Sequence, residues 1–402
     1  MPLPGAATPA GTARPGGLVD RGFLPPYGVF ACSVVFFWVI SLRSLVYTVM
    51  PTVAADLNLS SSAAGMVIAS MLLGYGVASW FAGWLPGSRK ARVMGGIVLS
   101  IPSAVMLATA PNVGVLLLAS VLTGLGIGVY LPLGLSLIIE LGGTSRRARY
   151  VAFHEVAATF ASFIGSAVVA VALTLTDWHG SILAWCLIGV AALVVFALIK
   201  DETGSLARRA SGQRVPFNRP LVLATVIYAV GATLVSGVIS VLPLIMVRGW
   251  GLDQGYAASV TGYTRLAGLV GVAIAGLFAD RLGHFRIVFF LQLFAVVGAA
   301  AMALGGDGPL FVLGTAVMAI GASGNIVLTQ VVMTSAFPLA QRQQALATAT
   351  GIGGLTGLVL SPALFGALVD AGLPSAPMLV VVASTIVMIL ATRQLSGLRA
   401  EK

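Results

Sequence analysis

Residues 276–286 read GLFADRLGHFR, and residues 83–93 read GWLPGSRKARV. Both stretches put charge and glycine straight after a long apolar run, in a chain that is 58% hydrophobic and only 8% charged. Soluble domains carry roughly 25% charged residues, so this much apolar surface calls for a bilayer as solvent. A charged loop that recurs nearly half a chain apart then reads as a mark of internal repetition.

A transmembrane helix needs about 20 apolar residues. Twelve stretches qualify, near 27–50, 63–85, 92–110, 113–141, 149–176 and 179–199, then 220–247, 256–279, 285–305, 309–337, 343–370 and 375–393. The two charged stretches each follow the second span of a set of six. The basic segment KDETGSLARRASGQRVPFNRP, residues 200–220, separates the sets. The expected fold is an all-α membrane protein with twelve transmembrane helices in two pseudo-symmetric six-helix bundles. The expected divisions are a flexible cytoplasmic tail over 1–25, a bundle over 26–199, a linker over 200–219, a bundle over 220–393 and a tail over 394–402.

Charge sets the orientation. The chain has 22 Lys and Arg against 12 Asp and Glu, a net charge of +10. With the N-terminus inside, 19 of the 22 cations fall on the inner side, Arg248 falls outside, and Arg43 and Arg265 fall within spans. Lys and Arg accumulate in cytoplasmic loops, so both termini are expected in the cytoplasm, with anionic lipid as the nearest partner of the basic loops. No aromatic-basic motif points to nucleic acid. Cys32 and Cys186 sit in apolar runs and three histidines show no zinc spacing, so neither a metal site nor a cofactor is expected. The Walker pattern is absent, so direct ATP drive is not expected.

With these features the chain resembles the major facilitator superfamily, whose loop signature runs roughly G-x-L-a-D-R-x-G-R-[RK] between helices 2 and 3 and is often echoed between 8 and 9. Gly276, Asp280, Arg281, Gly283 and Arg286 match it; the first copy keeps Gly83 and Leu85 but sets Gly87 at the Asp place and Lys90 at the Gly place. The resemblance implies secondary transport by alternating access, no enzyme activity, and an integral protein of a bacterial cytoplasmic membrane working as a monomer. It also implies a gating role for Gly83, Gly276, Asp280 and Arg281: Gly for close helix approach, and Asp280 as a latch against Arg146, Arg147 and Arg149. The family's Arg early in helix 4 is replaced here by Ser120, and its Gly-Pro pair in helix 5 by Gly165-Ser166.

Arg43 and Arg265 carry the functional reading. A charge at mid-membrane costs about 2.5–3.5 kcal/mol or more and needs a partner or a wet cavity. One arginine comes from each half, about 7 and about 9 residues from the outer span ends, or roughly 10 and 14 Å deep. A guanidinium fork fits a carboxylate, phosphate or sulfonate, and anion carriers of the family often use such residues. Tyr47, Tyr130, Tyr228, Asn325 and Gln330 join them as expected lining. Glu155 heads a polar stripe with Thr159, Ser162 and Ser166, which suits either a proton carrier or a structural pair with Arg146 or Arg149, and His154 stands beside it. The expected cargo is a small organic anion, coupled to protons or exchanged for another anion. The rival is proton-driven efflux of a lipophilic or cationic compound, for which Glu155 alone supplies a deep acid.

Overall fold

The computed structural model describes residues 26–82, 84–142, 147–199, 216–338 and 341–400. Among them, twelve helices are long and apolar enough to cross a membrane, and there is no strand. They are α1 Tyr27–Asp56, α2 Ser61–Phe81, α3 Arg89–Ala108, α4 Val113–Ile138, α5 Val156–Leu175, α6 Trp178–Ala197, α7 Arg219–Gly249, α8 Gln254–Ala279, α9 His284–Gly305, α10 Pro309–Thr329, α11 Thr348–Asp370 and α12 Ala376–Leu398. The α5 helix extends back to Arg147, and α8 runs on to Leu282.

Polar side chains start these helices. Ser60, Ser88, Asn112, Asp177, Asn218 and Asp253 each accept a hydrogen bond from a first-turn N–H of α2, α3, α4, α6, α7 and α8. In lipid such orphan donors have no water to turn to, so the caps matter more than in a soluble helix.

Proline shapes the interiors. Pro51 lies inside α1, which continues to Asp56, six residues past the sequence expectation. Arg43 is therefore roughly 20 Å from the distal helix end at about 1.5 Å per residue, deeper than expected. In α4, Pro132 has no N–H for the Gly128 carbonyl, and the Ser79 hydroxyl of α2 donates to that carbonyl at 2.8 Å. Helix α7 contains π-turns at Thr233–Val238 and Ile245–Gly249, and α11 contains one at Leu355–Leu360. The α7 and α11 π-turns meet where Thr233 Oγ1 donates to the Gly357 carbonyl at 3.2 Å.

Small residues set the crossings. A Cβ on Gly124 of α4 would lie 2.0 Å from the Met71 carbonyl oxygen of α2, and one on Gly271 of α8 would lie 1.8 Å from that of Ile320 in α10. Equivalent helix pairs, second with fourth and eighth with tenth, are thus brought to backbone contact by the same device. Helices α1–α6 pack chiefly on one another, as do α7–α12, and the crossings between the sets involve α1, α2 and α5 with α7, α8 and α11.

The two loop copies align differently from the sequence reading. Gly87 has φ +94° and Gly283 has φ +92°, and each turns the chain into the following helix. Gly87 is therefore the counterpart of the turn glycine, not of Asp280, because only glycine adopts that backbone readily. Three residues before Gly87 stands Trp84, 72% exposed, with its ring edge against Phe81. The cations of this copy hold their own half together: Arg92 Nε donates to the Gly87 carbonyl at 2.9 Å, and Lys90 Nζ donates to that of Ile199 at 2.5 Å.

Candidate functional site

Arg43 lies on α1, half-buried, with its guanidinium carbon 5.4 Å from the ring centroid of Tyr75 on α2. That is cation–π range. Tyr47 is one turn along the same face of α1. It is 1% exposed, and its hydroxyl has no hydrogen-bond partner among the described residues. Arg265 lies on α8, half-buried, and donates from Nη1 to the Val235 carbonyl at 3.2 Å. Val235 belongs to the first π-turn of α7. A π-turn displaces carbonyls from the regular helix ladder and often marks a functional site.

These groups converge. Arg43 and Arg265 act on each other electrostatically, and both act on Tyr47, which also feels Tyr75. Two guanidiniums and two phenols, Tyr47 and Tyr75, drawn from both sets of helices, therefore share one region. The Nε atoms of both arginines are buried and have no hydrogen-bond partner among the described residues. Among the described residues no carboxylate pairs with either arginine. Two like charges thus sit in this region with buried donor atoms that no described residue satisfies.

Other expected site residues lie elsewhere or face other partners. Tyr130 is 1% exposed, donates its hydroxyl hydrogen to the Cys32 carbonyl, and lies 3.0 Å from His154 Nε2. His154 is fully buried and stacks on Phe36 at 4.0 Å, which places it in the α1–α4–α5 packing. Asn325 is fully buried; its Oδ1 accepts from Gln292 of α9 at 3.4 Å and its Nδ2 points at Met388 Sδ of α12. Gln292 also donates to Thr392 at 3.0 Å, so this network ties the second set of helices together. Gly276 is exposed, and an added Cβ there would meet nothing within 4 Å, so close helix approach is not its role. Arg281 is exposed in the last turn of its helix. Gly83 and the side chains of Glu155, Asp280 and Gln330 lie outside the described residues, as do those of Arg146, Arg147 and Arg149.

Sequence reading missed Tyr75. A tyrosine in an apolar helix carries no charge signal, and only the fold brings it under Arg43. The Val235 carbonyl was equally hidden, because a π-turn leaves no composition signature.

Known proteins share this architecture. A family model described as Major Facilitator Superfamily matches residues 29–308. The galactose-proton symporter of Escherichia coli (strain K12) is 37% identical over 82 residues, which span 20% of this chain and only 18% of that protein. A bacterial homologue of the human lysosomal transporter Spinster, inward-facing and unoccupied, superposes with a TM-score of 0.77 at 14% identity over 94% of this chain and 99% of that one. The nucleoside transporter NupG gives 0.78 at 12% identity over 92% and 99%. A D-xylose-proton symporter gives 0.72 at 17% identity over 90% and 96%. At these identities the solved structures speak for the fold, while the family match extends over most of the chain. With twelve helices long and apolar enough to cross a membrane, the chain belongs to the Major Facilitator Superfamily.

Proposed function

We propose that the protein carries a small organic anion, carboxylate-like in its charged group, held between Arg43 and Arg265 with Tyr47 between them. The observation that carries this reading is the pair of mutually repelling guanidiniums, each with a buried unpartnered Nε, beside an unpartnered Tyr47 hydroxyl. A bound anion removes the repulsion and satisfies the orphaned donors together. A cationic cargo would add a third positive charge to the same region, which disfavours the rival efflux reading. Tyr75 and Tyr228 complete the proposed lining. The positive-inside distribution favours cytoplasmic termini, and a bacterial inner membrane is the proposed location. Bundles over 26–199 and 220–393, joined by the 200–219 linker, then alternate around the site in a monomer.

Transport into liposomes tests the substrate class. The panel is labelled carboxylates, sulfonates, cationic dyes, galactose and xylose. Saturable uptake of a carboxylate or sulfonate is expected; uptake confined to a dye or a neutral sugar would overturn the reading.

Coupling is to protons or to a second anion. The 82-residue likeness to a proton symporter favours protons, and Glu155, which heads a polar stripe in the sequence, is the proposed carrier. Glu155→Gln is expected to abolish pH-driven accumulation and to leave anion exchange intact, because exchange can run with that group permanently neutral. Accumulation that persists in the variant under a pH gradient would assign the proton to another group.

A further inference from the structure

The ends of α1, α7 and α11 and the starts of α2 and α8 gather at the end of the bundle distal to Tyr27, and hydrogen bonds join the two sets of helices there. Asp370, the last residue of α11, accepts from the backbone N–H of Ser61 at 2.7 Å through Oδ1 and from that of Ser62 at 2.7 Å through Oδ2. Arg248, at the end of α7, donates from Nη2 to the Leu59 carbonyl at 3.0 Å. Gln254, at the start of α8, donates from Nε2 to the Thr48 carbonyl at 2.6 Å. Each donor or acceptor side chain comes from the second set, and each partner is backbone of the first.

We propose that Asp370, assisted by Arg248 and Gln254, is a clasp that holds the distal gate shut, and that release of its carboxylate from the start of α2 is the step that opens this end. Local chemistry alone does not explain an aspartate at this position. The C-terminus of a helix carries partial negative charge, so α11 itself disfavours the carboxylate. The start of α2 offers the opposite end of a dipole and two unpaired N–H donors. The aspartate is thus favourably placed only while α2 and α11 are together. Arg248 follows the same logic, since it is the cation that breaks the charge rule for the distal loops, and it is spent on a carbonyl of the opposite set.

Packing lets the clasp close. A Cβ on Gly65 of α2 would lie 2.3 Å from the Pro362 carbonyl oxygen of α11, and one on Gly366 of α11 would lie 2.2 Å from that of Ser61. The helices therefore meet backbone to backbone just below the carboxylate. At the other end of α2, the following stretch from Gly83 to Val93 contains no carboxylate. The substrate-free protein is biased toward the distally closed form, whichever solute the arginines hold.

Spin labels read the gate directly. Pro111→Cys lies in the distal loop between α3 and α4, and Leu373→Cys in that between α11 and α12; both positions are exposed, whereas Cys32 and Cys186 are buried. In the parent, one short distance should dominate. Asp370→Asn removes the charge. Ser62→Pro removes one of the two N–H donors at a first-turn position where proline fits a helix. Each is expected to raise the ratio of long to short distances about tenfold or more, the scale of a lost hydrogen bond to a charged group. Asp370→Glu should keep the parent distribution. If either Asp370→Asn or Ser62→Pro keeps the parent distribution, the clasp is overturned; should the Asn variant fail to fold, Ser62→Pro decides alone.

Discussion

Arg265→Lys and Arg43→Lys are each expected to weaken carboxylate binding by about 1–3 kcal/mol, a roughly 5- to 150-fold loss of affinity. Lysine keeps the charge, so attraction at a distance survives. What disappears is the planar fork and its fixed geometry. In Arg265→Lys the donor to the Val235 carbonyl goes too, so the π-turn of α7 loses the group that bridges it to α8. In Arg43→Lys the stacked contact with Tyr75 weakens. Apparent affinity from concentration-dependent uptake reads both. Unchanged affinity in both variants would remove the arginines from the site.

The second large effect concerns the frame that carries Arg265. Gly271→Leu is expected to destabilise the protein by about 3 kcal/mol or more, because overpacking a tight contact costs 1–3 kcal/mol and here the obstacle is backbone. An added Cβ would sit 1.8 Å from the Ile320 carbonyl oxygen, and nothing flexible can give way. Helices α8 and α10 must separate, and Arg265 moves with α8. Gly276→Leu, on the same helix, meets nothing within 4 Å and should melt like the parent. Thermal unfolding in detergent compares the two. Equal melting of both variants would mean that the α8–α10 crossing is looser than described.

The twelve spans were legible because lipid leaves helices few alternatives, and runs of about 20 apolar residues stand out against charged loops. The arginine pair was legible for the same reason: charge inside a span is costly, so its presence demands an explanation. Depth was less legible. Pro51 reads as a stop in a soluble helix, yet α1 passes through it and carries Arg43 nearer the middle. The loop register misled for a similar reason. Counting from Gly83 to Gly276 aligns Gly87 with Asp280, but backbone conformation pairs Gly87 with Gly283, and φ is not written in the sequence.

Partners across the two sets were the least legible. Tyr75 under Arg43, the Val235 carbonyl beneath Arg265 and Asp370 on Ser61 and Ser62 all join residues distant in the chain. Hydropathy fixes which residues enter the membrane, but not how each helix is rotated about its axis. Asn325 shows the converse. It suggested a lining residue by its polarity, yet Gln292 of α9 and Met388 of α12 occupy its side chain.

Ligand-dependent melting of the purified protein tests the anion site most directly. A ligand that binds only the folded form stabilises it by about 2.7 kcal/mol at 100 times its Kd. The panel is carboxylates and sulfonates of increasing size, with galactose and xylose as neutral competitors. The expected result is a rise in melting temperature with at least one carboxylate or sulfonate, absent with both sugars and lost in Arg43→Lys and Arg265→Lys. A rise with galactose or xylose, and none with any anion, would contradict a site built on the two arginines.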